Sequence, residues 1–183
     1  MNTNDNNSVI FPGINDGDTF EVAGIEFIKF PSRNGMTPVV SKDILFRSSF
    51  GEDNDFRKSK ILKTLESEYL PRIIEAVGDE NICTIKTDLT TLDGLKKYGV
   101  MESLVSLPTL DFYRANAEIF DKYNPCSWWW LATADSAKPH YDPIWSLCVS
   151  PSGAICYVDF NVDYYGVRPF YIFKSSIFGS SEE

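Results

Sequence analysis

Apolar and polar positions first alternate at Phe20 and Val22, then at Ile25 and Phe27 beyond Ala23-Gly24, which predicts an N-terminal β-hairpin with one face on a core. Asp16-Gly17-Asp18 is the turn that feeds it. Pro31-Ser32-Arg33-Asn34-Gly35 reads as the next turn, with a strand returning over Thr37 to Val40. From Asp53 the period becomes helical. Asp53, Asp55 and Ser59 offer caps, and Ile61, Leu62, Leu65 and Tyr69 recur at helical spacing. Pro71 interrupts the ladder but is tolerated in a first turn, after which Ile73, Ile74 and Val77 continue one face up to Gly78. The pattern predicts two short consecutive helices or one kinked helix. Ile82 to Thr87 then reads as a strand, Asp93 to Tyr98 as a single helical turn, and Leu110 to Phe120 as a helix introduced by Pro108-Thr109.

Strand-like runs return in the last third. Ser146-Leu147-Cys148-Val149 and Ala154-Ile155-Cys156-Tyr157-Val158 flank Ser150-Pro151-Ser152-Gly153, a hairpin with proline at the second turn position. Val167 to Phe173 alternates only loosely and predicts a largely buried closing strand. Strands, then helices, then strands imply an α+β fold whose N- and C-terminal strands share an antiparallel sheet, with two to three helices in the middle. The expected organisation is a flexible lead over 1–12, one domain over 13–178 and a flexible tail over 179–183.

Within the last third, Trp128-Trp129-Trp130 cannot all face one way. A strand puts Trp128 and Trp130 on one side and Trp129 on the other, so at least two are expected in the core. Arg168, between Val167 and Pro169, predicts a partly buried cation paired with an aspartate. Trp128, Trp129, Trp130, Gly166, Arg168 and Pro169 are accordingly read as structural.

Composition adds a partner class. Acidic side chains outnumber basic ones by 26 to 17, a formal net charge of −9. Bare nucleic acid is excluded as a direct ligand, because phosphate binding needs a basic footprint. A basic protein suits such a surface, and nucleic-acid-binding proteins are one class of basic partner. The residues expected to meet it are Glu52, Asp53 and Asp55, with Glu66 and Glu68 beyond them, or Asp135, Asp142, Asp159 and Asp163 with Tyr164 and Tyr165 beside them. No long apolar run or basic-then-apolar leader marks a membrane or secretion, so a cytoplasmic location in a bacterial host is expected. Cys83, Cys126, Cys148 and Cys156 form no CxxC and read as free thiols.

Catalytic and cofactor patterns are sparse. His140, between Pro139 and Pro143, belongs on a loop, and no serine or cysteine has a local triad context. Asp159-Phe160-Asn161-Val162-Asp163 opens like a calcium loop, yet Tyr164 stands where glycine is needed and Phe170 where glutamate is needed. No glycine-rich phosphate cradle occurs. No cofactor, no metal and no enzymatic activity are expected.

The tryptophan run and Gly166-Val167-Arg168-Pro169, with Asp16-Gly17-Asp18-Thr19-Phe20 and Val105-Ser106-Leu107-Pro108-Thr109-Leu110-Asp111-Phe112-Tyr113-Arg114, resemble a family of uncharacterised bacterial domains common in phage and mobile-element proteins. Its members carry Trp-Trp-Leu-Arg-Ser, whereas this chain has Ala132-Thr133 after Trp-Trp-Leu. The order of elements is also similar to the C-type-lectin-like fold, without the lectin calcium motifs. That resemblance implies a display scaffold. In size, acidity and lack of motifs the chain looks like the anti-CRISPR inhibitors, which implies a non-catalytic inhibitor occupying a basic surface of a type II CRISPR effector nuclease. Two alternatives stand beside it. One is a ligand-binding or adhesin-like display module using Tyr141, Trp145, Tyr164 and Tyr165; the other is a formylglycine-generating type of enzyme, which needs a copper-binding cysteine pair such as Cys148 and Cys156.

Overall fold

In the computed structural model, which describes residues 10–138 and 144–179, the N-terminal alternation becomes β1 (Thr19–Val22) and β2 (Ile25–Lys29), antiparallel with Val22 opposite Ile25. Ala23 and Gly24 between them have φ of 52° and 76°, the left-handed pair that a two-residue hairpin turn requires. β3 (Met36–Ser41) pairs with β2, and β11 (Phe170–Lys174) pairs with β3. The sheet β1-β2-β3-β11 therefore joins the two ends of the chain, as expected of this α+β fold. Ile10 and Phe11, within the span expected to be a flexible lead, both donate backbone N–H to the Ile177 carbonyl, at 2.9 and 2.8 Å.

A second sheet runs β4 (Phe46–Arg47), β10 (Gly166–Val167), β7 (Trp129–Ala134), β8 (Trp145–Val149) and β9 (Ile155–Asp159). β10 is antiparallel to β4 and parallel to β7. The chain leaves β10 and enters β11 through Arg168-Pro169, so these two residues carry it from the second sheet to the first. A small third sheet pairs β5 (Ile85–Asp88) with β6 (Val100–Ser103).

The central helical region is continuous: α1 (Lys60–Thr64), a π segment (Leu65–Tyr69) and α2 (Leu70–Val77). Ser59 caps it by accepting the Leu62 N–H at 3.0 Å. Pro71 brings no N–H to the ladder, and just before it the Leu70 N–H reaches back to the Leu65 carbonyl, five residues away, which widens the helix there.

Four expectations need correction. The closing strand expected over Val167 to Phe173 is two strands, β10 and β11, which belong to different sheets. Asp93 to Tyr98 is not helical but two successive turns, in which Gly94 and Gly99 take φ of 84° and 65°. The strand expected from Ile82 begins at Ile85, and Ile82 makes an isolated bridge to Phe173 instead. Leu110 to Phe120 splits into α3 (Leu110–Ala115) and α4 (Ala117–Lys122). At the break, Asn116 Nδ2 donates to the Phe112 carbonyl at 2.9 Å, the acceptor its own backbone N–H would use in an unbroken helix.

The middle of the second sheet, β7 and β8, is buried on both faces. Trp130, Ala132 and Cys148 face a core that includes Phe50, Phe56, Ile61, Leu65 and Tyr171. Trp129, Leu131, Leu147 and Val149 face the other core, closed by Tyr113 and Phe120 from α3 and α4. Every residue of β7 is buried.

Candidate functional site

Period-two alternation separates the tryptophans as the sequence suggests. Trp129 and Trp130 are fully buried in opposite cores, while half-buried Trp128 stacks on Tyr165, ring centroids 5.5 Å apart. Both buried indoles are satisfied: Trp129 Nε1 donates to Asn124 Oδ1 at 3.0 Å, and Trp130 Nε1 to the Ser48 carbonyl at 2.8 Å. Gly166 is required where it stands, because a Cβ there would fall inside the Ile44 side chain. These residues form the seam between the sheets.

Arg168 corrects an expectation. It is fully buried, not partly, and no aspartate among the described residues forms a salt bridge with it. Its Nε donates to the Ser41 carbonyl at 2.9 Å, and its guanidinium lies 4.7 Å from the Trp129 ring centroid and 5.6 Å from that of Phe120. Both terminal nitrogens lack a hydrogen-bond partner among the described residues. Desolvation pulls its pKa down to about 10, against the opposing charge of Asp43. Rings and one carbonyl replace the expected carboxylate.

The residues expected to meet a partner are dispersed. Asp55 is buried and spent inside the protein: its carboxylate accepts Arg57 Nε at 2.8 Å and Nη2 at 2.6 Å, and caps the 3-10 turn Phe56–Lys58. Half-buried Asp53 accepts the Asp55 N–H at 2.9 Å. Glu52 is exposed, but Glu52 and Asp53 share a cavity of about 510 Å³ with Lys58, Lys60 and Lys63, so that surface is mixed in sign. Asp135 is half-buried beside Trp145, to whose carbonyl its N–H donates at 3.2 Å. Asp159 accepts the Asn161 N–H at 3.1 Å, and Asp163 is exposed. Asp142, like His140 and Tyr141, lies outside the described residues.

The aromatic set does not converge either. Tyr164 is 60% exposed, but Tyr165 is buried against Trp128 and Trp130, where desolvation pushes its phenol up to about 12. Trp145 stacks on Tyr157 at 4.5 Å and shares a face of β8 with Leu147, opposite the face that carries Cys148 and Tyr165. Cys148 and Cys156 stand directly opposite one another on β8 and β9.

The charge order along the central helix also departs from what stability alone favours. Its buried face is Ile61, Leu62, Leu65, Ile73 and Val77. Outside, the first turn carries Lys60 and no acid, with Lys58 before it and Lys63 after. Exposed Glu66, Glu68 and Glu75 follow, α2 has no basic residue in its last turn, and exposed Asp79 and Glu80 lie just beyond its end. A helix macrodipole favours the reverse order, by about 0.3–1 kcal/mol per well-placed charge. Arg72 does little to compensate, since it donates to the Ala23 carbonyl at 3.0 Å and lies over the Tyr69 ring. Glu75, Asp79 and Glu80 were absent from the expected partner set; the available signal was the missing lysine or arginine before Gly78.

Among the described residues, no group of three His, Cys, Asp or Glu side chains is placed to hold a metal ion, and no helix is long and apolar enough to cross a membrane. No protein-family model matches the chain, and neither the curated proteins nor the solved structures give a match.

Proposed function

We propose that the protein is a non-catalytic binding module that holds a basic surface of a partner protein through the carboxylates of its central helix, Glu66, Glu68 and Glu75, continued by Asp79 and Glu80. The observation that carries this reading is a run of carboxylates on the exposed side of a helix whose other face is core, with Glu75, Asp79 and Glu80 standing at the end where the helix dipole disfavours them. Charges kept where they weaken a helix are accounted for by a role outside it. The net charge of −9 supports the same reading, because a long-range negative field speeds encounter with a basic partner.

The partner class that best fits is a nucleic-acid-handling protein, whose phosphate-binding surface is basic by necessity. A type II RNA-guided nuclease is the first such partner to test. The apo nuclease is expected to retain the protein on a pull-down at low salt, and guide RNA added beforehand is expected to prevent it. Retention that persists unchanged with guide RNA bound would overturn occupation of the nucleic-acid surface. Absence of retention at low salt would remove this partner.

A further inference from the structure

The antiparallel register of β8 and β9 sets Cys148 directly opposite Cys156. At the end of that hairpin the Ser150 N–H donates to the Ala154 carbonyl at 2.9 Å, so hydrogen-bonded rungs fall at every second position from there, and Cys148–Cys156 is one of them. Residues facing each other on such a rung have Cα atoms about 5.5 Å apart, inside the range of about 4.4–6.8 Å that a disulfide spans, while their Cβ atoms lie toward the wide end of about 4.5–5.5 Å, so closing the bond draws the edge strand β9 inward. Both thiols lie on the face that carries Trp130, which is the partner of Cys148 on its other flank. Tyr165 packs on that tryptophan at 5.0 Å between ring centroids.

The two sulfurs differ in access. Cys148 is fully buried in the second-to-last strand of the sheet, whereas Cys156 is half-buried on the edge strand. An edge thiol open to a small reagent, backed by a shielded thiol one strand inward, is the division of labour that thiol–disulfide exchange uses. We propose that Cys148 and Cys156 form a reversible thiol–disulfide site that reacts with low-molecular-weight disulfides of the glutathione-disulfide class. The Cys156 thiolate attacks one sulfur of the small disulfide. That S–S bond breaks, one small thiolate departs and takes up a proton, and a mixed disulfide remains on Cys156. The Cys148 thiol loses its proton, its thiolate attacks Cys156 Sγ, and the second small group leaves as a thiolate that takes up a proton. Two protein thiols are oxidised and one small disulfide is reduced to two thiols. Desolvation holds the Cys148 thiol up to about 12, so its thiolate fraction, and ring closure with it, grows as pH rises.

The test is incubation of the folded full chain with oxidised glutathione, alkylation of remaining thiols and peptide mapping. The expected result is a linked Cys148–Cys156 peptide that dithiothreitol returns to free thiols, with C148S halting at glutathione on Cys156 and C156S leaving Cys148 unmodified. A final state with glutathione on Cys156 and Cys148 still free in the wild-type chain would overturn the proposal. So would linkage that appears only in denaturant, or Cys148 reacting at the wild-type rate in C156S.

Discussion

Among the described residues Arg168 forms no salt bridge, so its contribution to stability comes chiefly from packing between Trp129 and Phe120 and from one bond to the Ser41 carbonyl, with the charge of Asp43 acting against its desolvation. Arg168→Met retains most of the packed stem and removes the desolvated charge; this variant is expected to be at least as stable as the wild type. Arg168→Ala leaves a hole between the rings and is expected to lose about 2–4 kcal/mol. Urea unfolding checks both, and a large loss with methionine would show that the charge itself is stabilising. The same core predicts an alkaline limit. Desolvation raises the Tyr165 phenol from 10.0 and the Cys148 thiol from 9.0, each to about 12, and raises the Tyr171 phenol further. The folded state therefore binds these protons more tightly than the unfolded state. Their contribution is complete below the ordinary values and is lost as pH climbs toward the folded ones. The melting temperature is expected to hold from neutral pH to about 9 and then fall, with a shallower fall in Tyr165→Phe. An equal slope in that variant would remove Tyr165 from the account. The apolar neighbours of Arg168 in sequence pointed only to partial burial; its full burial and its ring partners, drawn from α4 and β7, were not legible.

Elements of four or more residues with a clear period were mostly legible: the first hairpin from alternation, the central helix from its apolar spacing and the β8–β9 hairpin from its turn. β4 and β10 were not, because two residues carry no period, and both form only where longer strands supply partners. The break at Asn116 was hidden for another reason: a side chain competing for one carbonyl leaves the hydrophobic pattern intact. Asp55 was misplaced because charge reads as exposure until Arg57, two residues on, is seen to take both carboxylate oxygens. On the central helix, Glu75→Lys restores the charge that the dipole favours and is expected to raise stability by about 0.3–1 kcal/mol at low salt. The same substitution is expected to weaken partner binding. Denaturant unfolding and an affinity measurement on one variant check the pair of effects, and a loss of stability would show that Glu75 serves the fold.

At the scale of the whole molecule, the α+β class and the sheet shared by the chain ends were readable, since alternation at both ends marked one-sided or buried strands. Alternation marks burial and not membership of a particular sheet, so the passage from β10 to β11 through Arg168-Pro169 was not readable. Net charge was likewise legible in sum but not in layout: lysines gather at the start of the central helix and carboxylates along its remainder. If that layout is the binding surface, affinity depends on these few side chains and on salt more than on the total of −9. The direct measurement is the affinity of the apo type II nuclease, across a series of salt concentrations, for the wild type and for a variant with Glu66, Glu68 and Glu75 all replaced by glutamine. Wild-type binding is expected to weaken steeply with salt, and the variant to bind at least about tenfold more weakly with a flatter salt response. Equal affinity and equal salt dependence of the two proteins would contradict it.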